Sequence, residues 1–333
     1  MSASQISSVY RSGRGPFRYR GRAMRVAAVD LGTHTTRLLV ADVHDGRIEE
    51  IERDLTFTRL GEDVDKRRRL LPVPIARVRN CLSDYRRRIE HLGAERTLAA
   101  GTSAIRDAEN GEAFLGEVEW SYGFATRLLS GDEEGLLTFR GATAERETDD
   151  ETLVVDIGGG STELVTGDGF HVSLDVGSVR LTERFLHADP PAREELERAA
   201  EHIRSLLPPP LSHSAAIGVA GTVTQLAALD LGLEAYHADR VHGHRIPAPA
   251  AAGLLDGLAA LPLAERRNVP ALAPERAPVI VAGALILREL LTWAGLDEIE
   301  ASERDLLHGI ALEAAELPEP VEGAAPPGAY TCC

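Results

Sequence analysis

Two stretches of the chain follow one pattern: an apolar run into aspartate, a glycine-bearing turn with hydroxyl residues, then a second apolar run. They are VAAVDLGTHTTRLLVADV, from residue 26, and LVVDIGGGSTELVTGDG, from residue 153. Aligning Asp30 with Asp156 pairs Gly32 with Gly158, Thr35 with Ser161, Thr36 with Thr162, Arg37 with Glu163 and Leu38 with Leu164. Each copy reads as a β-hairpin whose turn is rich in backbone N–H groups and hydroxyls. Glycine weakens regular structure by roughly 1 kcal/mol relative to alanine, so Gly158, Gly159 and Gly160 in succession require a reason.

A second pair of segments follows in the same order. TLAAGTSAIRDA (97–108) and AIGVAGTVTQLAAL (216–229) each read as a buried strand, Gly-Thr and a helix start. The offset between copies is nearly the same as for the hairpins, which points to two homologous halves of α/β type. A length of 333 residues also exceeds a comfortable single core. Helices are expected over 74–92, 132–142, 191–207 and 279–294. The first carries Cys81 on an apolar face with Ile75, Val78, Leu82, Tyr85 and Ile89, where a small core residue fits.

A glycine-rich turn after a strand lets N–H groups converge on an anion, because no Cβ blocks the approach. Two such turns facing each other across a cleft would grip a phosphate chain from both sides. The expected phosphate binders are Gly32, Thr33, His34 and Arg37 in the first half and Gly158, Gly159, Gly160, Ser161 and Thr162 in the second. Thr102, Ser103, Gly221 and Thr222, at the two Gly-Thr turns, complete the set. Asp156 and Glu163 flank one turn and would repel a polyanion unless a hard cation sits between them. Mg²⁺, or Mn²⁺, held by one or two carboxylates plus phosphate and water oxygens, resolves the conflict, with Asp30 as the first-half counterpart. Arg37 stands where the second copy has Glu163, so one half offers a cation and the other a metal ligand.

The formal net charge of −16 argues against a general nucleic-acid or membrane binder. No apolar stretch reaches the roughly 20 residues of a membrane span, and the first 25 residues, with their arginines, lack a signal-peptide core. Residues 1–24 read as a disordered basic extension and 317–333 as a disordered tail ending in Cys332 and Cys333. With no disulfide framework, a cytoplasmic protein is expected. His242 and His244, two apart with no third ligand nearby, suit a loop near the cleft rim better than a metal site.

The segments DLGT, GTSAIRDA, LLSGDEEGLLTFRGA, VVDIGGGSTEL and VAGTVTQLAAL, in this order and spacing, resemble the exopolyphosphatase / guanosine pentaphosphate phosphohydrolase family of the actin-like ATPase superfamily. The resemblance covers about residues 25–315. It implies two ribonuclease-H-like domains, over 25–137 and 138–316, with the active site in the interdomain cleft. It also implies a homodimer and release of terminal phosphate from inorganic polyphosphate, with guanosine pentaphosphate as the alternative substrate and a non-catalytic polyphosphate or alarmone sensor as a further one. The residues themselves do not separate Glu133 from Glu134; the resemblance makes Glu134 the base that activates water, Arg106 a phosphate contact, and Asp156 and Glu163 metal ligands. His34 stands where the family often has asparagine, and its imidazole could add pH dependence near neutrality. The chain ends soon after DLLHGIALEAAEL, without the helical domain of longer members, so short chains are the expected substrate. APVIVAGALILRELL, with a single glycine, reads as a core helix rather than the nucleotide-binding helix of a kinase.

Overall fold

The computed structural model describes residues 23–210 and 213–318; the basic extension up to residue 22 and the tail from 319 lie outside them. Strand β1 (Met24–Leu31) pairs antiparallel with β2 (Thr36–His44), which pairs with β3 (Arg47–Thr56). On its other side β1 runs parallel to β4 (Arg96–Gly101), which is followed by β5 (Ala125–Leu128), giving the order β3-β2-β1-β4-β5. The second sheet repeats this order with β6 (Thr152–Ile157), β7 (Thr162–Thr166), β8 (His171–Leu174), β9 (Ala215–Val219) and β11 (Glu298–Ala301). β10 (Arg245–Pro247) is added at its edge. The fold is mixed α/β with two like-ordered sheets.

Both hairpins have the register that the aligned motifs demand. Asp30 stands opposite Arg37, and Asp156 opposite Glu163. Side chains alternate across a strand. In β1, Ala27, Val29 and Leu31 therefore bury against the Pro72–Leu92 helix through Val78, Cys81, Leu82, Tyr85 and Ile89. Val26 and Ala28, on the face that carries Asp30, pack on the Leu306–Glu316 helix. In β6, Val154 shares the face of Asp156 and packs against Phe139 and Ala142 of the Gly131–Thr143 helix. Its other face meets a core that includes Leu285, Ile286 and Leu290 of the Ile280–Ala294 helix, the segment read as a core helix. Each such buried aliphatic side chain contributes about 1.5–3 kcal/mol relative to exposure.

The two inner-face helices cross the boundary between sheets. Residues 306–316, late in the chain, cover the first sheet, while residues 131–143 lie against β6, β7 and β8 of the second. They meet at Gly141 and Gly309. A Cβ at 141 would strike the Asp305 carbonyl, and one at 309 the Leu137 carbonyl. Small residues there let the backbones of the two helices approach closely. No helix among the described residues is long and apolar enough to cross a membrane.

Candidate active site

Each hairpin turn is held from behind. In the first half, Arg59 N donates to His34 O at 2.9 Å and Gly61 N to Thr33 O at 2.8 Å. In the second, Ser178 N donates to Gly158 O at 2.9 Å and Val179 N to Gly159 O at 2.8 Å. With their carbonyls engaged, the amides of Gly159 and Gly160 find no acceptor within the protein among the described residues, and both residues line a narrow cleft between the halves. Buried N–H groups require partners, so these are open donor sites for an anion.

That cleft brings together most of the expected residues. Gly32, Thr33, His34, Arg37, Thr102, Ser103, Gly158, Gly159, Gly160, Ser161, Gly221 and Thr222 line it, along with Asp30, Glu134 and Asp156. Thr162 and Glu163 are buried just behind it; the Thr162 hydroxyl donates to Val176 O at 2.5 Å. The glycines have a second reason beyond anion approach. A Cβ at Gly160 would collide with Ser103 Oγ and come within 2.9 Å of Thr33 Oγ1, and one at Gly159 would meet Thr33 Cβ at 3.0 Å. The two turns lie directly against each other. Gly221 likewise leaves room for the guanidinium of Arg276, and Ala220 before it adopts φ +61°, a strained value for a non-glycine residue.

The paired glutamates separate by position. Glu133 closes a capping box, with its carboxylate accepting from Ser130 N at 2.8 Å and its own N–H donating to Ser130 Oγ at 3.2 Å; it also pairs with Arg127. Glu134, 7 % exposed, points into the cleft. Gly131 and Gly135 allow this, since side chains there would press on Ser173 and Val165 of the second sheet. Arg106 Nη1 donates to Glu134 Oε2 at 3.0 Å and to Leu129 O at 2.7 Å. Arg106 thus touches the cleft through Glu134 and is not among its lining residues.

Burial raises the pKa of Glu134 well above the usual carboxylate range, and Glu163 adds to this while Arg106 opposes it. Asp156 is raised in the same way by burial and by Glu163, and burial raises Glu163. Crowded acids of this kind favour a bound cation. Two buried oxygens, Asp30 Oδ1 and Glu163 Oε2, have no hydrogen-bond partner among the described residues, which suits oxygens that bind a metal. Among the described residues no three His, Cys, Asp or Glu side chains converge enough to hold an ion alone. The donor set therefore fits a hard cation held by one or two carboxylates, with water and substrate oxygens completing its shell.

Three features were not legible in the motifs. Arg37, expected as a free phosphate ligand, is clasped by Asp30 (Nε to Oδ2, 2.9 Å) and by Asp305. Asp305 caps the Leu306–Glu316 helix, and Arg37 and His308 hold it below the usual carboxylate range against the effect of burial. Arg276 lines the cleft over the Phe57 ring, 5.4 Å from its centroid, with no carboxylate partner among the described residues; burial and Arg37 push its pKa down to about 10. Beside it His34, whose Nε2 lies 3.2 Å from Glu275 O, is lowered to about 4 by burial and Arg276. His34 is neutral near pH 7, so the pH dependence expected of it near neutrality does not arise. His244 pairs with Asp230 at 2.7 Å and His242 accepts from Glu303 N at 3.2 Å; neither lines the cleft.

The model of the Ppx/GppA phosphatase family matches residues 39–317. Exopolyphosphatase 2 of Mycobacterium tuberculosis is 38 % identical over 314 residues, covering 87 % of this chain and 98 % of its own. A solved exopolyphosphatase-like protein superposes with a TM-score of 0.82 at 34 % identity, covering 88 % of this chain and 98 % of its own. The guanosine-5'-triphosphate,3'-diphosphate pyrophosphatase of Vibrio vulnificus is 29 % identical, with 88 % of this chain matching 60 % of it. The two like-ordered sheets, the facing glycine turns and these likenesses agree: the chain belongs to the Ppx/GppA phosphatase family.

Proposed function

We propose that the chain is an exopolyphosphatase that cleaves the terminal phosphoanhydride of inorganic polyphosphate, with water as the acceptor. The observation that carries this reading is a buried carboxylate, Glu134, facing unfilled amide donors of the second glycine turn across a cleft lined by hydroxyls. In the proposed reaction the amides of Gly159 and Gly160, with the hydroxyls of Thr33, Ser103, Ser161 and Thr222, bind the terminal phosphoryl oxygens. Arg276, without a carboxylate partner among the described residues, supplies positive charge. Glu134 takes a proton from water as its oxygen bonds to phosphorus and the bridging P–O bond breaks, releasing orthophosphate and a shortened chain. Arg106 keeps Glu134 oriented and offsets its charge. A Mg²⁺ or Mn²⁺ ion, held through Asp156 and Glu163 with Asp30 nearby, would neutralise phosphate charge. Cytoplasmic location is carried over from the cysteine usage, and homodimerisation from the resemblance alone.

A second reading, guanosine pentaphosphate as substrate, is favoured by a cavity of about 550 Å³ that shares Arg37, Ala220, Gly221 and Arg276 with the cleft. Phe57, Leu55, Leu272 and Tyr236 give it an apolar wall, wider than a phosphate chain needs. A substrate panel tests both readings. Purified protein with Mg²⁺ should release orthophosphate from tripolyphosphate and longer chains faster than from guanosine pentaphosphate. The reverse preference would move the assignment to the nucleotide, and binding without release would make the protein a sensor.

A further inference from the structure

Arg180 lies outside the cleft lining yet bonds to both halves at its back wall. It sits in the Ser178–Phe185 helix, 7 % exposed. Its Nε donates to Gly160 O at 2.6 Å. Its Nη2 donates to Ser103 Oγ at 3.2 Å and to Asp107, and its Nη1 to Asp65 Oδ1 at 2.8 Å. Ser103, Asp65 and Asp107 belong to the first half. The neighbouring side chains extend the tie, with Arg184 bonding Asp65 and Glu183 accepting from Asp63 N at 3.3 Å.

The backbone shows what this tie fixes. Residues 178–180 take all three glycine carbonyls of the turn: Ser178 N bonds Gly158, Val179 N and Arg180 N bond Gly159, and the Arg180 side chain takes Gly160. Gly177 makes this approach possible, because a Cβ there would run into the backbone of Gly159 and Gly160. The same guanidinium that anchors Gly160 reaches Ser103, the residue that the Gly160 Cα packs against from the other half. A planar fork with five donors suits this task; a lysine, donating from one point, cannot span it.

We propose that Arg180 is a positioning residue that locks the two anion-binding turns at one separation, so that the amides of Gly159 and Gly160 face the hydroxyls of Thr33 and Ser103 before substrate arrives. The proposal rests on the reading of these turns as a phosphate seat. Preorganised donors bind an anion without the cost of ordering them first. The seat loses that order when the guanidinium is removed, although no atom of Arg180 need touch phosphate.

The test uses the full chain with Arg180→Lys, and with Asp107→Asn as a milder variant that keeps the bond to Gly160 but weakens the first-half anchor. Arg180→Lys should raise KM for tripolyphosphate by about tenfold or more, with a smaller change in kcat, while unfolding stays cooperative. Hydrogen exchange of the amides that hold the turn, Gly158, Ser178, Val179 and Arg180, should quicken in both variants without any ligand. The double variant should lose little more than Arg180→Lys alone, since the two act through one contact. Unchanged KM and exchange in both variants, in a wild type that binds tripolyphosphate, would overturn the lock and leave the phosphate reading standing. Faster exchange in the variants of a protein that binds no tripolyphosphate would support the lock and remove the phosphate reading. Should Arg180→Lys fail to fold, Asp107→Asn decides by the same two measurements.

Discussion

Arg37 occupies in the first hairpin the register position that Glu163 holds in the second: one stands across from Asp30, the other across from Asp156. Duplication thus left one carboxylate paired with a cation and the other with a second carboxylate. The first pair is closed further by Asp305, which takes the other end of the Arg37 guanidinium. The second pair leaves Glu163 Oε2 without a partner, although Ser173 Oγ donates to Glu163 Oε1 at 2.8 Å. The asymmetry puts the demand for a cation on the second half.

Glu163→Gln should therefore relieve the crowding of Asp156 and Glu134 and weaken the hold on metal. We expect the Mg²⁺ concentration for half-maximal activity to rise by about tenfold or more, the scale of losing a charged ligand contact. The metal-free variant should be at least as stable as wild type, because a buried acid of raised pKa is removed. A Mg²⁺ titration of activity, with denaturation in chelator alongside, measures both. Unchanged metal dependence would separate Glu163 from the ion.

Removing Arg37 should act in the opposite direction on stability. Arg37→Ala leaves Asp30 and Asp305 as neighbouring buried carboxylates with their shared partner gone. Breaking a buried pair in this way costs about 3–5 kcal/mol, which chemical denaturation at neutral pH resolves easily. A loss under about 1 kcal/mol, the range of exposed ion pairs, would mean that Arg37 is held loosely and is available to substrate.

Glu134→Gln keeps the hydrogen-bonding shape but cannot accept the proton of water. We expect turnover to fall by about 10²- to 10⁴-fold, the usual contribution of general base catalysis, while tripolyphosphate binding measured calorimetrically changes little. Wild-type turnover in this variant would move the base elsewhere.

Arg276→Met should show a trade between stability and function. The native guanidinium is partly buried with no carboxylate partner among the described residues, its pKa pushed down to about 10, so its burial is unfavourable until an anion arrives. The variant should melt at or above the wild-type temperature, yet bind tripolyphosphate about 10- to 100-fold more weakly, the loss of one charge-assisted bond. Lower stability with unchanged binding would assign Arg276 to packing against Phe57.

How much of this was legible follows from the range of each signal. The hairpins, their register and the helices at 72–92, 131–143, 193–206 and 280–294 rest on local periodicity and turn chemistry, which a sequence displays directly. Glu133 and Glu134 look alike in sequence. Only the meeting of Gly131 and Gly135 with Ser173 and Val165 turns one into the cleft and leaves the other to cap. Arg276 and Asp305 lie in loops before helices, where no period marks them, and Arg37 looked free because its second partner is 268 residues away. In the sequence the glycines explain themselves by making way for an anion; their contacts with Thr33 and Ser103 are invisible until both halves are folded together.

The chain Glu50–His308–Asp305–Arg37, which runs inward from the exposed Glu50, predicts a stability profile of definite shape. His308 is 1 % exposed, its Nε2 lies 2.8 Å from Glu50 Oε1, and its Nδ1 accepts from Asp305 N at 3.2 Å and lies 3.8 Å from Asp305 Oδ1. Burial lowers its pKa, but the carboxylates of Asp305 and Glu50 outweigh this and raise it above 6.5. A histidine raised in the folded state adds stability in full below its unfolded value, and that increment fades as pH climbs through the folded one. Asp305 behaves oppositely: Arg37, His308 and Arg53 hold it below 3.8 despite burial, so its increment is present above that value and fades as pH falls through its folded one. The cluster should stabilise the protein most between these limits. Replacing His308 by Gln, which keeps a hydrogen-bonding side chain without the titration, should flatten the decline in denaturation midpoint as pH rises above 6.5. If wild type and His308→Gln lose stability in parallel over that range, the imidazole is neutral in the folded protein and Asp305 is held by its arginines alone.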